Sequence, residues 1–381
     1  MTPLSFLSAH RHINHFTSLL LYLYIMKILL NSALLVLLSG ATVSAFAPAA
    51  LRMAQYSTVL YAKKKIFIDG EAGTTGLQVR GRIEARDDLE IISAPDELRK
   101  DEETRKKLIN EADAVILCLP DAASIEASSW VEPDNDKTVL IDASTAFRVD
   151  PDWTYGFPEL SKEQKEAIKK SKRIANPGCY PTGFIGLTRP LVDAGILQEG
   201  TPLTVNAISG YSGGGKGLME IYEAGGAEPW GSYGFSLKHK HIPEMAKYSG
   251  LNKKPIFQPQ VSSFAQGMVV SVPLHYAWLK EGTTGKDIHE ALSKHYEGST
   301  FVEVMPLGEG GAKEAGLLER GAFLRPDTLA NTNKMQLFVF DNDEEEQVVL
   351  CARLDNLGKG ASGAAVQNLN LALGLDEAEG L

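Results

Sequence analysis

The sequence predicts an α/β protein in which a doubly wound parallel sheet with a dinucleotide site precedes a second domain built on a mixed sheet. Three observations predict it. From Lys65, short β-rich runs alternate with helical segments, the signature of βαβ units. The first of those runs ends in a glycine-spaced turn, "DGEAGTTG". After Tyr180 the alternation stops and the strand candidates lengthen.

Taken in order, "KIFIDG", "LEIIS", "AVILCLP" and "TVLIDAS" read as strands, being short apolar runs rich in β-branched residues. Thr74 to Arg86, Glu97 to Asn110 and Asp121 to Trp130 separate them and read as helices. The second domain offers the strands "PLTVNAIS", "MVVSVPLHYAWL", "MQLFVFDND" and "EQVVLCARL", with an amphipathic helix near Asp287 to Tyr296. A final helix is predicted in "ASGAAVQNLNLALG", where Ala365, Leu369 and Leu373 fall at helical spacing among small residues that permit close packing.

A chain of 381 residues, 44% hydrophobic and 23% charged, has material for a large core divided between two domains. Its net charge of -10 and lack of a long basic run argue against nucleic acid as a partner. Three cysteines cannot close a disulfide framework. Cys118 and Cys351 lie in apolar, strand-like runs, whereas Cys179 stands in the turn-rich "NPGCYPTG".

Residues 1–62 read as a presequence. From Met26, Lys27 precedes an apolar run from Ile28 to Leu38 and the small residues Val43, Ser44 and Ala45, the pattern of a cleavable signal. Joined to the upstream "SLLLYLYI", the same run is long enough for a membrane span, with Lys27 and Asn31 inside it. The following "VSAFAPAALRM" resembles the bipartite targeting presequence of algae with secondary plastids, and residues 46 to 62 carry no Asp or Glu. The expectation is a plastid stroma, a reducing compartment suited to a free thiol, with no membrane association after processing.

Gly70, Gly73 and Gly76 permit a tight strand-to-helix turn and let backbone N–H groups approach a pyrophosphate at the helix N-terminus. The spacing G-x-x-G-x-x-G departs from the usual fingerprint, and a plain tight turn would also explain it. Beyond the second strand stand Ser93, Arg99 and Lys100, hydroxyl and cationic groups suited to a 2′-phosphate and hence to NADP(H). A solvated helix start is the alternative, and Asp96 argues against a wholly basic site.

Cys179 precedes the apolar-periodic "FIGLTRPLVDAG". If that run is a helix, the thiol lies in its first turn, where free amides and the dipole lower a thiol pKa and hold an oxyanion. The competing reading is a structural turn cysteine. In "LKHKHIPEM", His239, His241 and Glu244 share one short polar stretch, and the histidines offer an acid/base group near neutral pH. No other stretch completes a zinc site with them, so no metal is expected. "SGYSGGGKG", Ser209 to Gly217, is a glycine-rich loop carrying Lys216, suited to an anionic group or simply flexible.

Together with "LCLPD", "DASTAFR", "YGFPEL" and "LDNLGKGASGAAVQN", these motifs in this order resemble the N-acetyl-gamma-glutamyl-phosphate reductase family, in its shorter type, from about Lys65 to Leu375. The resemblance implies a Rossmann NADP-binding domain (63–178), an α+β catalytic and dimerisation domain of the glyceraldehyde-3-phosphate dehydrogenase-like kind (179–350), and a C-terminal segment (351–375) returning to the first domain. It implies that Cys179 attacks N-acetylglutamyl 5-phosphate, that NADPH reduces the thioester, and that the semialdehyde leaves. His241 is expected to transfer the proton, with His239 as helper. Arg148, Glu159, Ser209 and Lys216 are expected at the substrate, Glu159 also orienting a histidine. Gly70, Gly73, Thr74, Thr75 and Gly76 would line the pyrophosphate, while Asn356 and Gly360 would approach the nicotinamide. Fold analogy suggests a homo-oligomer, dimer or tetramer.

Overall fold

The computed structural model describes residues 62–381. The presequence assigned to 1–62 lies, but for its last residue, outside them. The chain opens with β1 (Lys64–Asp69), α1 (Thr74–Ile83), β2 (Leu89–Ile92), α2 (Glu102–Glu111), β3 (Ala114–Leu117), α3 (Asp121–Ser128) and β4 (Val139–Asp142). Two short strands, β5 (Thr154–Tyr155) and β6 (Arg173–Ala175), flank α4 (Lys162–Lys170). All six strands pair in parallel in the order β2-β1-β3-β4-β6-β5. With β1 between β2 and β3, the strand order reverses at the carboxyl end of β1, where open α/β sheets bind ligands.

Both faces of this sheet are covered, which is why β3 and β4 are apolar at nearly every position. Ile66, Ile68, Ile116 and Ile141 pack on one face and Phe67, Val115, Leu117 and Leu140 on the other, following the two-residue alternation of strands.

The second domain begins with α5 (Cys179–Asp193), then β7 (Thr204–Gly210), α6 (Gly215–Glu223), β8 (Trp230–Ser232), α7 (Ile242–Tyr248), β9 (Ile256–Ser262), β10 (Met268–His275) and α8 (Gly285–His295). β11 (Val302–Val304), α9 (Gly308–Glu314), β12 (Met335–Asn342) and β13 (Gln347–Leu354) complete a mixed seven-stranded sheet ordered β11-β12-β13-β10-β7-β9-β8. α5 lies on this sheet with Phe184, Leu187 and Leu191 buried against Val270, Leu337 and Ala352 in one large core.

One expected boundary moves. β13 stays hydrogen-bonded to β10 and β12 through Leu354, so residue 351 is inside the second sheet and the return starts at Asp355. From there a π-helical turn (Gly358–Ser362) leads into α10 (Gly363–Ala372), whose Ala365, Val366, Leu369 and Leu371 join the core of the first domain. The return also extends past 375, because Leu381 packs against the same core. Among the described residues no helix is long and apolar enough to cross a membrane.

Candidate active site

The glycine turn has the geometry of a cradle. Gly70 has a φ of +86°, and a Cβ there would stand 2.4 Å from the Cys118 carbonyl oxygen. A Cβ on Gly76 would fall 2.5 Å from the Gly70 carbonyl oxygen, so helix and turn approach closer than any side chain allows. Gly73 caps α1, its N–H donating to the Gly70 carbonyl at 3.0 Å. Cavities lie on both sides of this turn. One of about 410 Å³ is bounded by Gly70, Glu71, Ala94, Arg99, Lys100 and Arg105. The other, of about 850 Å³, reaches Thr74, Thr75, Cys179 and His241. A dinucleotide laid across the turn would place one nucleoside in each.

Arg99 and Lys100 therefore stand where a 2′-phosphate is expected. Ser93 does not line that cavity: its hydroxyl accepts from Arg80 at 3.4 Å and donates to Glu71 at 3.3 Å, bracing the turn instead.

Cys179 is the first residue of α5, with Gly178 as its N-cap. Around Gly178 the packing is tight: a Cβ there would lie 2.6 Å from Arg148 Nη1, 2.8 Å from Glu244 Oε1 and 2.9 Å from His241 Nε2. The imidazole nitrogen thus faces the nucleophile's turn. The expected depression of the thiol pKa is not what the site produces. Burial pushes Cys179 up to about 11, although Arg148 and the first-turn amides of Tyr180 and Cys179 work in the opposite direction. His241 is driven well below its ordinary value by burial, then by Arg148 and His239. Its Nδ1 is buried with no hydrogen-bond partner among the described residues. His239, held in contact with Tyr180, Tyr233 and Phe257, accepts the His241 backbone N–H on Nδ1 at 3.2 Å. Burial lowers it to about 4.

Glu244, which shares the polar stretch of the two histidines in the sequence, has a role there that the sequence did not show. It lies three residues beyond His241 in α7 and is almost wholly buried. Oε1 accepts from Arg148 Nη1 at 2.8 Å, while Oε2 accepts from Tyr155 Oη at 2.9 Å and from Gly178 N–H at 3.1 Å. One carboxylate thus ties the histidine's helix to the cap of the cysteine's helix, its charge matched to the positive end of α5. The sequence signal was its place one helical turn after His241, behind Pro243.

Arg148 lines the cavity, but each of its nitrogens donates to the protein: Nη1 to Glu244, Nε to the Asn176 carbonyl at 2.9 Å and Nη2 to the Ala143 carbonyl at 3.1 Å. It orients the turn more than it offers a free anion clamp. Ser209, Gly210 and Ser212 to Gly215 border the cavity, whereas Lys216 is exposed and does not. Asn356 borders it with both amide groups engaged, accepting from Gly267 N–H at 2.8 Å and donating to Ser212 Oγ at 3.0 Å. Gly360 presses on the nucleophile: a Cβ there would be 2.7 Å from Cys179 Cβ. Glu159 is a correction. Its carboxylate is buried away from this cavity against Lys359, and the carboxylate beside the nucleophile's turn is that of Glu244, which bonds Arg148, Tyr155 and Gly178 and no imidazole.

A helix-borne thiol beside an imidazole, facing a dinucleotide turn across two α/β domains, defines a semialdehyde dehydrogenase type of enzyme. Residues 71–169 match the family model described as semialdehyde dehydrogenase, NAD binding domain, and residues 179–356 match semialdehyde dehydrogenase, dimerisation domain. Aspartate semialdehyde dehydrogenase II of Vibrio cholerae superposes with a TM-score of 0.59 at 16% identity, over 82% of this chain and 99% of that one. The Candida albicans aspartate semialdehyde dehydrogenase, solved with NADP, gives 0.53 at 14%, over 81% and 98%. Among curated proteins, N-acetyl-gamma-glutamyl-phosphate reductase 2 of Nostoc sp. is 49% identical over 327 residues, 84% of this chain and 99% of its own length. The N-acetyl-gamma-glutamyl-phosphate reductase of Brucella ovis is 50% identical over 317 residues, 82% of this chain and 99% of its own. The chain belongs to the N-acetyl-gamma-glutamyl-phosphate reductase family.

Proposed function

We propose that the protein reduces N-acetylglutamyl 5-phosphate with NADPH, giving N-acetylglutamate 5-semialdehyde and phosphate through a thioester on Cys179, in arginine biosynthesis. The observation that carries this is the meeting of Cys179, His241 and Gly360 in a cavity that runs back to Thr74 and Thr75 of the glycine turn.

As Cys179 Sγ bonds to the acyl carbon, its proton passes to the neutral His241 imidazole and the bond from carbon to the phosphate oxygen breaks. The first-turn amides of α5 are placed to hold the oxyanion, and Arg148 favours the thiolate character of the sulfur as it attacks or departs. NADPH, when bound across the glycine turn, supplies the hydride. His241 then returns its proton to the departing sulfur as the oxyanion collapses to the aldehyde and the carbon–sulfur bond breaks, the proton consumed overall passing from water to the released phosphate. Arg99 and Lys100 support the preference for NADP(H).

The reaction run backwards from semialdehyde, NADP and phosphate is the test, read by the absorbance of reduced nicotinamide. Phosphate-dependent NADPH formation is expected, and Cys179→Ser should abolish it with NADPH binding nearly intact. Turnover in that variant would remove the thioester.

The same reading places the mature enzyme in a plastid stroma. Support comes from the signal-like run after Lys27 and the acid-free segment 46 to 62, and from relatives matched over 99% of their length by 84% of this chain. A fluorescent fusion carrying residues 26 to 62 should enter plastids; retention at a membrane would favour the spanning alternative. The dimerisation-domain match supports a homo-oligomer, dimer or tetramer, which light scattering would distinguish.

A further inference from the structure

We propose that Lys359 is a positioning residue for the nucleophile: its buried ion pair with Glu159 fixes the π-helical turn Gly358–Ser362 on which Cys179 rests. This depends on Cys179 being the nucleophile, as argued above.

The pair is sealed from water, with the Lys359 side chain 1% exposed and that of Glu159 7%. Lys359 Nζ donates to Glu159 Oε1 and to Gln367 Oε1, each at 2.6 Å, and lies 5.6 Å from the ring centres of both Phe157 and Phe301. Gln367 Nε2 closes the network by donating to Glu159 Oε1 and Glu377 Oε1, each at 2.9 Å. Burying opposite charges gives little net stability over a well-packed apolar pair of the same size. Stability alone therefore gives no reason for a lysine here. Its attachment does.

The next residue, Gly360, is in contact with Cys179; a Cβ on it would reach 2.7 Å from Cys179 Cβ and 3.1 Å from its Cα. No slack separates the turn from the thiol. Ala361 accepts from Asn176 Nδ2 at 3.0 Å, three residues before the cysteine. Ser362 Oγ donates to the Leu357 carbonyl at 2.6 Å and accepts from Arg82 Nε at 3.2 Å, with Gln78 Oε1 3.1 Å away, Arg82 and Gln78 both on the helix that follows the glycine turn. The turn thus touches the nucleophile and the cofactor helix at once. Its backbone bonds run from Ser362 N–H to the Leu357 carbonyl and from Gly360 N–H to the Asp355 carbonyl, a π-type winding that is rare and concentrated at functional sites. With four small residues around it in "GKGAS", the lysine side chain is the one long enough to pin the turn to the strand-to-helix segment that carries Glu159. Glu159, anchored between β5 and α4, supplies the fixed point.

The test compares wild type with Lys359→Met, Glu159→Gln and the double variant. Four quantities are read: Tm, NADPH affinity, kcat, and the rate of Cys179 alkylation by iodoacetamide, followed on its own peptide by mass spectrometry. Loss of wild-type turnover on alkylation tests the nucleophile separately from the pair. The double variant should keep its NADPH affinity within about twofold and melt near wild type, while kcat falls roughly tenfold or more and the alkylation rate shifts at least about threefold. Wild-type kcat and alkylation rate in the double variant would overturn the proposal. So would kcat, NADPH affinity and Tm declining together, which would assign the pair to the fold alone. Should Lys359→Met not fold, Glu159→Gln decides by the same readings, since it keeps the hydrogen-bonding shape and removes only the charge.

Discussion

Burial moves the two reacting side chains in opposite directions. The Cys179 thiol is pushed up to about 11 and the His241 imidazole is driven well below 6.5, so both are uncharged at neutral pH. Proton transfer then accompanies carbon–sulfur bond formation, where a neutral imidazole is the group needed. Activity is lost on acidification only when His241 gains a proton, and its depressed pKa carries that event below the usual histidine range. The profile of kcat/KM against pH should therefore stay flat as pH falls through 6.5 and decline only under it. His241→Asn should lower kcat by roughly 10² to 10⁴. His239→Asn should cost less, because His239 lines the cavity while His241 Nε2 is the nitrogen packed against the nucleophile's turn at Gly178. An acid limb at or above 6.5, or the reverse order of the two variants, would move the proton-transfer role elsewhere. Stability follows the same sign. His239 titrates near 4 when folded against an ordinary 6.5, so its contribution is complete above 6.5 and is lost as pH falls through about 4.

At the scale of elements, what the sequence revealed and what it hid follow from how each segment signals. β1 to β4 are short apolar runs bounded by turn residues, and their positions were legible, as were β7, β10, β12 and β13. β5 has two residues, and β6, β8 and β11 have three, too few for any period to show. β9 was hidden by Pro259 in its middle, tolerated because β8 pairs only with Gln260 to Ser262 and leaves that side of Pro259 outside its ladder. The glycine turn, the thiol at the start of α5 and the histidine pair were readable because rare residue types at fixed spacing carry chemistry. The partners were not. Glu244 acts by reaching Gly178 and Arg148, which lie 66 and 96 residues away in the chain, and nothing local announces such contacts. Lys216 and Glu159 were misplaced for the same reason: composition marks a charged residue as available, and only the fold decides which way it faces.

For the molecule as a whole, the telling feature is that the chain's end completes its beginning. α10 comes just after the second sheet and begins some 280 residues beyond the end of α1, yet Leu369 is wholly buried in the core that holds Ile66, Ile116 and Ile141. The first domain therefore cannot finish folding until the second has been made, and Asp355 to Ser362 carries the active-site contacts between them. Leu369→Ala removes packing from that shared core and should cost about 2–5 kcal/mol. If the two sheets melted independently, the loss would stay in the first. Because Asn356 and the turn that follows it also hold Ser212 and Cys179, the loosening should spread first along that route. Hydrogen exchange in the variant should quicken in β1, β3 and β4 and in the turn at 358–362, with β10, β12 and β13 keeping most of their protection. Faster exchange in the second sheet alone would mean that α10 serves the catalytic domain, and the return of the chain to its first domain would lose its role in assembling the site.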